Sequence, residues 1–242
     1  MRTSNPALRE DTFIPDRYVA DAGVMTVRGT ANKTFVLLAL TVVSATYTWT
    51  HTGSGLASIA TIGGAIVGFI LALILCFKKT WAPVLAPAYA IAEGLFLGGI
   101  SAMYQARFGG IVFQAVALTF GTLFALLGAY QTGLIRPSEN FKLGLIAATG
   151  GIFLVYLASM VLGFFGIQIP GIFGNGLIGI GFSAVVVVIA ALNLVLDFDF
   201  IEQGAAVGAP KYLEWYAAFG LLVTLVWLYL EILRLLSKLR SR

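Results

Sequence analysis

From Thr34 onward the chain is a succession of long apolar runs broken by short polar turns. The runs are approximately Thr34 to Trp49, Leu56 to Phe77, Trp81 to Tyr104, Ile111 to Tyr130, Leu143 to Gly166, Gly176 to Leu196 and Leu213 to Leu236. About 20 helical residues, at ~1.5 Å each, cross a ~30 Å hydrocarbon core, and all seven runs are read as meeting that test, the first being the shortest. Turn formers separate them, among them His51-Thr-Gly-Ser-Gly55, Lys78-Lys79, Arg107-Phe-Gly-Gly110, Arg136-Pro-Ser-Glu139 and Pro170-Gly171. Such loops leave no room for a soluble domain. Apolar residues make up 59% and charged residues 11% of the 242, whereas soluble chains carry roughly 45–50% and about 25%. A water-soluble or disordered chain is excluded. Continuous apolarity, without the alternation of barrel strands, selects helices. The expected fold is an all-α polytopic membrane bundle of seven transmembrane helices over residues 34–242, after a flexible polar tail over 1–33.

About thirty polar residues precede the first run, so its helix is expected to be retained rather than cleaved as a signal peptide. Cys76 is the only cysteine, which excludes an internal disulfide. Gly64-Ala-Ile-Val-Gly68 and Gly94-Leu-Phe-Leu-Gly98 place small residues on one helix face, a pattern for close backbone packing. With the N-terminus cytoplasmic, Arg17, Arg28, Lys33, Lys78, Lys79, Arg136, Lys142 and Lys211 fall inside and Arg107 outside, as the positive-inside rule asks. Arg234, Lys238, Arg240 and Arg242 oppose it, because seven crossings put them outside. Either the early helices set the topology or the last segment does not cross fully.

Acids at membrane depth carry the functional information, because a charged carboxylate at the bilayer centre costs at least ~2.5 kcal/mol. Glu93 lies ~18 Å into its run, where a neutral interhelical hydrogen bond and a place on an ion path are both open. Glu231 stands three residues before Arg234, at ion-pair spacing, and shares a polar stripe with Thr224. The densest cluster is Asn193, Asp197, Asp199, Glu202 and Gln203, with Glu214 across the following loop. Asn193 and Asp197 share a helix face, while Asp199 points almost oppositely. This crowding predicts a cation-attracting, proton-sensitive site or a solvated acidic helix end.

One histidine, His51 in a loop, and one cysteine cannot supply the usual zinc sets or a buried Ser–His pair. The last run has no Schiff-base lysine between Leu213 and Ser237, and no Gly-Lys-Ser or Gly-Lys-Thr loop occurs. No cofactor, no permanent metal site and no nucleic-acid partner is expected. An intramembrane aspartyl hydrolase would need Asp197 and Asp199 to share a proton from opposite helix faces, without a Gly-x-Gly-Asp sequence. A non-conducting scaffold acting on an unidentified protein partner is the other alternative.

In order and spacing, the chain from Thr34 to Leu236 resembles the Bax inhibitor-1/YccA family. The resemblance rests on seven helices, a basic turn after the second, Glu93-Gly-Leu-Phe-Leu-Gly-Gly99, Asp197-Phe-Asp-Phe-Ile201, and Leu228-Tyr-Leu-Glu-Ile-Leu-Arg-Leu-Leu236. It implies six helices around a central seventh and, for bacterial members, a pH-sensitive calcium leak in the plasma membrane. A carboxylate pair between the sixth and seventh helices gates that pore, and a basic residue of the second latches it. Asp197 carries over as the sixth-helix acid, with Asp199 as the competing alignment and Lys78 or Lys79 as the latch. Aligning Leu-Arg-Leu-Leu places Thr224 where the family has Asp; aligning Leu-Tyr-Leu-acid chooses Glu231. Glu231 lies ~27 Å along its helix, so Glu214, near the helix entry, is the better-placed partner. The expected function is a proton-regulated cation leak, not an enzyme. Asp197, Asp199 and Glu214 would attract calcium transiently, and Glu93 would continue the path.

Overall fold

The structure is a computed structural model that describes residues 23–166 and 172–241. The tail over 1–22 and the Pro170-Gly171 turn lie outside the described residues. The described chain forms α1 (Val27–Thr50), α2 (Gly55–Phe77), a 3-10 turn (Lys79–Trp81), α3 (Ala82–Arg107), α4 (Ile111–Gln131), α5 (Glu139–Phe164), α6 (Leu177–Ala206) and α7 (Leu213–Arg240). Local chemistry sets several boundaries. Thr26, Ser54 and Ser138 stand extended before α1, α2 and α5, and each hydroxyl accepts from the backbone N–H three residues on, satisfying a donor the helix cannot. Gly110 enters α4 at φ 78°, a backbone region other residues avoid.

Together these helices form an all-α polytopic membrane bundle. Six of them, α2 to α7, are long and apolar enough to cross a bilayer. By composition α1 is not one of the six. It starts at Val27, upstream of the Thr34 run, and so takes in Arg28 and Lys33. Its buried face is Thr30, Thr34, Leu37, Thr41, Ser44 and Thr48. These hydroxyls turn back onto the helix's own carbonyls, Thr34 to Thr30, Thr41 to Leu37 and Ser44 to Leu40. Self-satisfaction of this kind lets a hydroxyl-rich helix pack inside.

Helix α7 is the core. One face, with Ala218, Phe219, Leu222 and Val226, packs on α1 and α3; another, with Ala217, Leu221, Leu225 and Leu228, packs on α4 and α6. The expectation of six helices around a seventh is refined, since α2 packs chiefly on α3 and α5 on α6. Close packing explains where α2 goes. Lipid offers apolar side chains no less than a neighbouring helix does, so tight van der Waals contact through small residues decides association. A Cβ on Gly64 would stand 2.5 Å from the Ala92 carbonyl of α3, and one on Gly98 would meet the Ala45 carbonyl of α1. The two Gly-x-x-x-Gly faces thus seat α2 and α1 on α3. Outward faces remain apolar, with Phe35, Phe69, Phe113 and Phe153 each more than 60% exposed, as a lipid-facing surface requires.

Candidate functional site

Glu214 has a fully buried side chain and, among the described residues, the most partners of the acids. It accepts from the Thr26 N–H and the Thr26 hydroxyl, both at 2.9 Å, and pairs with Lys211 at 2.8 Å and with Lys33. Thr26 caps α1 and Glu214 lies in the first turn of α7. The carboxylate therefore meets the positive ends of two helices at once, together with two ammonium groups. Next to it Met25 N–H donates to the Ala209 carbonyl at 2.7 Å, so the entry to α1 is fastened to the α6–α7 connection.

Asp199 is held elsewhere. It accepts from Lys142 of α5 at 2.8 Å and from Gln203 at 2.6 Å. Glu202 accepts from the Tyr130 hydroxyl of α4. Asn193 donates to Thr149 of α5 at 2.9 Å and to the Ile189 carbonyl. Glu231, 2% exposed, forms the ion pair its spacing predicts, with Arg234 at 2.8 Å, and accepts from Tyr156 of α5 at 2.9 Å.

Asp197 differs from all of these. Its Oδ2 is buried and is the one buried side-chain oxygen or nitrogen among the described residues without a hydrogen-bond partner. The polar group beside it is the Thr224 hydroxyl of α7, which also donates to the Gly220 carbonyl at 3.3 Å. Helices α6 and α7 run antiparallel in constant register. Two heptads beyond Asp197 and Thr224, Ser183 faces Lys238, whose buried ammonium donates to Ser183 and to the Ile172 and Gly179 carbonyls.

The expected cluster of Asp197, Asp199 and Glu214 is therefore three separate settings. Glu214 precedes Thr224 by ten residues of α7, ~15 Å along the axis, and is captured by α1. Asp199 points to α5, away from the α7-facing Asp197, so the two do not form an aspartyl pair. Lys78 and Lys79 do not reach these acids; both are exposed, and Lys79 lies over the Tyr216 ring at 5.3 Å. The acids draw their counter-charges from Lys33, Lys142, Lys211 and Arg234 instead. Glu93 is half-buried, next to Gly68 of α2 and to Tyr89, whose ring packs on Phe219 of α7. Sequence reasoning passed over the partners on α5, although Lys142, Thr149 and Tyr156 recur at heptad spacing.

Helices α6 and α7 thus carry carboxylates at Glu214, Glu231 and Asp199 in buried or half-buried settings, an arrangement consistent with a protonation-sensitive site. Among the described residues no group of three or more His, Cys, Asp or Glu is placed to hold a metal ion. A family model described as Bax inhibitor 1 like matches residues 5–241. No curated protein matches the chain.

Proposed function

The chain belongs to the Bax inhibitor 1 like family, and from that premise we propose that it is a proton-regulated cation leak, with calcium as the transported ion. It crosses a bacterial plasma membrane seven times, with its N-terminus cytoplasmic. The observation that carries the reading is the Asp197 carboxyl, buried between α6 and α7 with one oxygen unpartnered. A buried carboxylate oxygen without a donor needs either a proton or a cation, and the two compete for it. Hard divalent cations favour oxygen ligands. The ionised group draws the cation to the α6–α7 seam beside Thr224; the protonated group does not, and the seam closes on a neutral pair. The acids that already hold counter-charges, Glu214, Asp199 and Glu231, serve as fixed points of the bundle.

Calcium flux into liposomes holding the purified protein, followed at several pH values, tests this. Wild type passes calcium with a pH-dependent rate, and Asp197→Asn removes the pH dependence. Glu93→Gln, Asp199→Asn and Glu214→Gln keep it. Thr224→Asp, which supplies the second acid that the family resemblance places there, changes the shape of the pH profile. Wild-type flux equal to that of empty liposomes at every pH refutes the leak and favours a scaffold.

A further inference from the structure

Helix α5 is attached differently from the rest of the bundle. Its only buried residues are Leu145 and Ile152, and α6 is the one helix it packs against extensively. Between and beside these two lie Lys142, Thr149 and Tyr156, each seven residues from the next, so all five residues form one heptad seam. Every position of the polar row makes a cross-helix contact. Lys142 pairs with Asp199, Thr149 accepts from Asn193, and Tyr156 donates to Glu231 while accepting from Arg234 at 2.6 Å. The outer face, with Leu143, Phe153, Leu154 and Phe164, is exposed and apolar. Polar groups at core seam positions fix register at a cost in stability, and interhelical hydrogen bonds in membranes are individually weak.

We propose that α5 is a detachable flank helix, held in register by this polar seam, whose separation from α6 releases the stretch of α6 that carries Asp197. The placement carries it: α5 is tied to Asn193 and Asp199, four residues before and two after Asp197, while Asp197 itself faces Thr224 of α7. In function this rests on the leak proposed above, with α5 as the part that moves to admit the ion; the docking itself does not depend on conduction.

The test is a spin-label distance between α5 and α6 in lipid nanodiscs. The labels sit at Leu154→Cys and Val188→Cys, both outward-facing, in a Cys76→Ser background because Cys76 is an exposed free thiol. With the seam intact one short distance dominates. Each lost contact shifts the docked-to-undocked ratio about 2.8-fold, so Lys142→Gln with Thr149→Ala and Tyr156→Phe shifts it about twentyfold and adds a longer distance. Thr149→Ala alone, the mildest change, gives a smaller shift of the same sign and faster amide exchange confined to α5. An unchanged distance distribution and unchanged exchange in folded protein overturn the proposal, whatever the flux shows. A longer distance without any calcium flux leaves the detachable helix standing and refutes the leak.

Discussion

The contact between Gly29 and Glu214 can be tested against itself. The three atoms nearest to a Cβ built on Gly29 all belong to the Glu214 carboxylate, with the closer contacts well inside van der Waals distance. Gly29→Ala therefore overfills the site that holds Glu214 to Thr26, Lys33 and Lys211, at a cost of about 1–3 kcal/mol. Glu214→Ala alone breaks a pair whose acid is fully buried and whose lysines are 17% and 43% exposed. The freed cations reach water, so the cost is about 2–3 kcal/mol, below the ~3–5 of a fully buried pair. The two changes combined are the decisive case. With the carboxylate gone the new methyl meets no acid, and alanine exceeds glycine by up to ~1 kcal/mol in a helix. Gly29→Ala should then stabilise the Glu214→Ala protein, giving a coupling of about 1–4 kcal/mol between the two sites. Reversible unfolding in mixed micelles, followed by helical circular dichroism, measures all four proteins. A Gly29→Ala cost that is the same in both backgrounds refutes the clamp.

Arg234→Ala leaves Glu231, 2% exposed, with Tyr156 as its remaining donor and should cost about 3 kcal/mol in the same assay, with partial recovery in Arg234→Lys; a cost near zero contradicts the buried pair. Gly98→Val drives a side chain into the Ala45 carbonyl and Thr48 of α1, whereas Gly121→Val finds nothing within 4 Å. The first should abolish folded protein in detergent chromatography and the second should be tolerated; equal yields of the two would remove the close-packing argument.

How much was legible follows from what period and length can encode. Apolar run length located the helices, and glycine spacing marked the faces of α2 and α3 that pack closely, though not their partners, because both are local signals read out by general packing rules. The start of α1 was missed because its signal is a cap, Thr26 with Gly29, rather than an apolar run. Glu231 with Arg234 and Glu214 with Lys211 were accessible as i,i+3 spacings. The partners that separate the acids, Lys33 and Lys142, are 181 and 57 residues away in sequence from Glu214 and Asp199, and no local pattern names them. Of the C-terminal bases that oppose the orientation rule, Arg234 is paired with Glu231, while Lys238 is buried on carbonyls and Arg240 donates to Gly109 and Gln114 at the start of α4, neutral acceptors that leave both charged.

These placements give α7 an uneven character along its length. Near its start it is fixed by Glu214 to α1, and near its end by Glu231, Arg234 and Lys238 to α5 and α6. The stretch around Thr224 between them has no charge of its own, and faces the one buried side-chain oxygen without a partner among the described residues. Two carboxylates in contact share a proton and titrate as a pair, with one proton coming off at the expense of holding the other. A threonine opposite a single aspartate cannot do this: it offers a hydroxyl to either form and carries no charge. On the proposed mechanism the seam therefore changes charge by one unit in one step, between two fixed ends. The gating response of this chain should follow a single-site curve, and Thr224→Asp should split it into two steps.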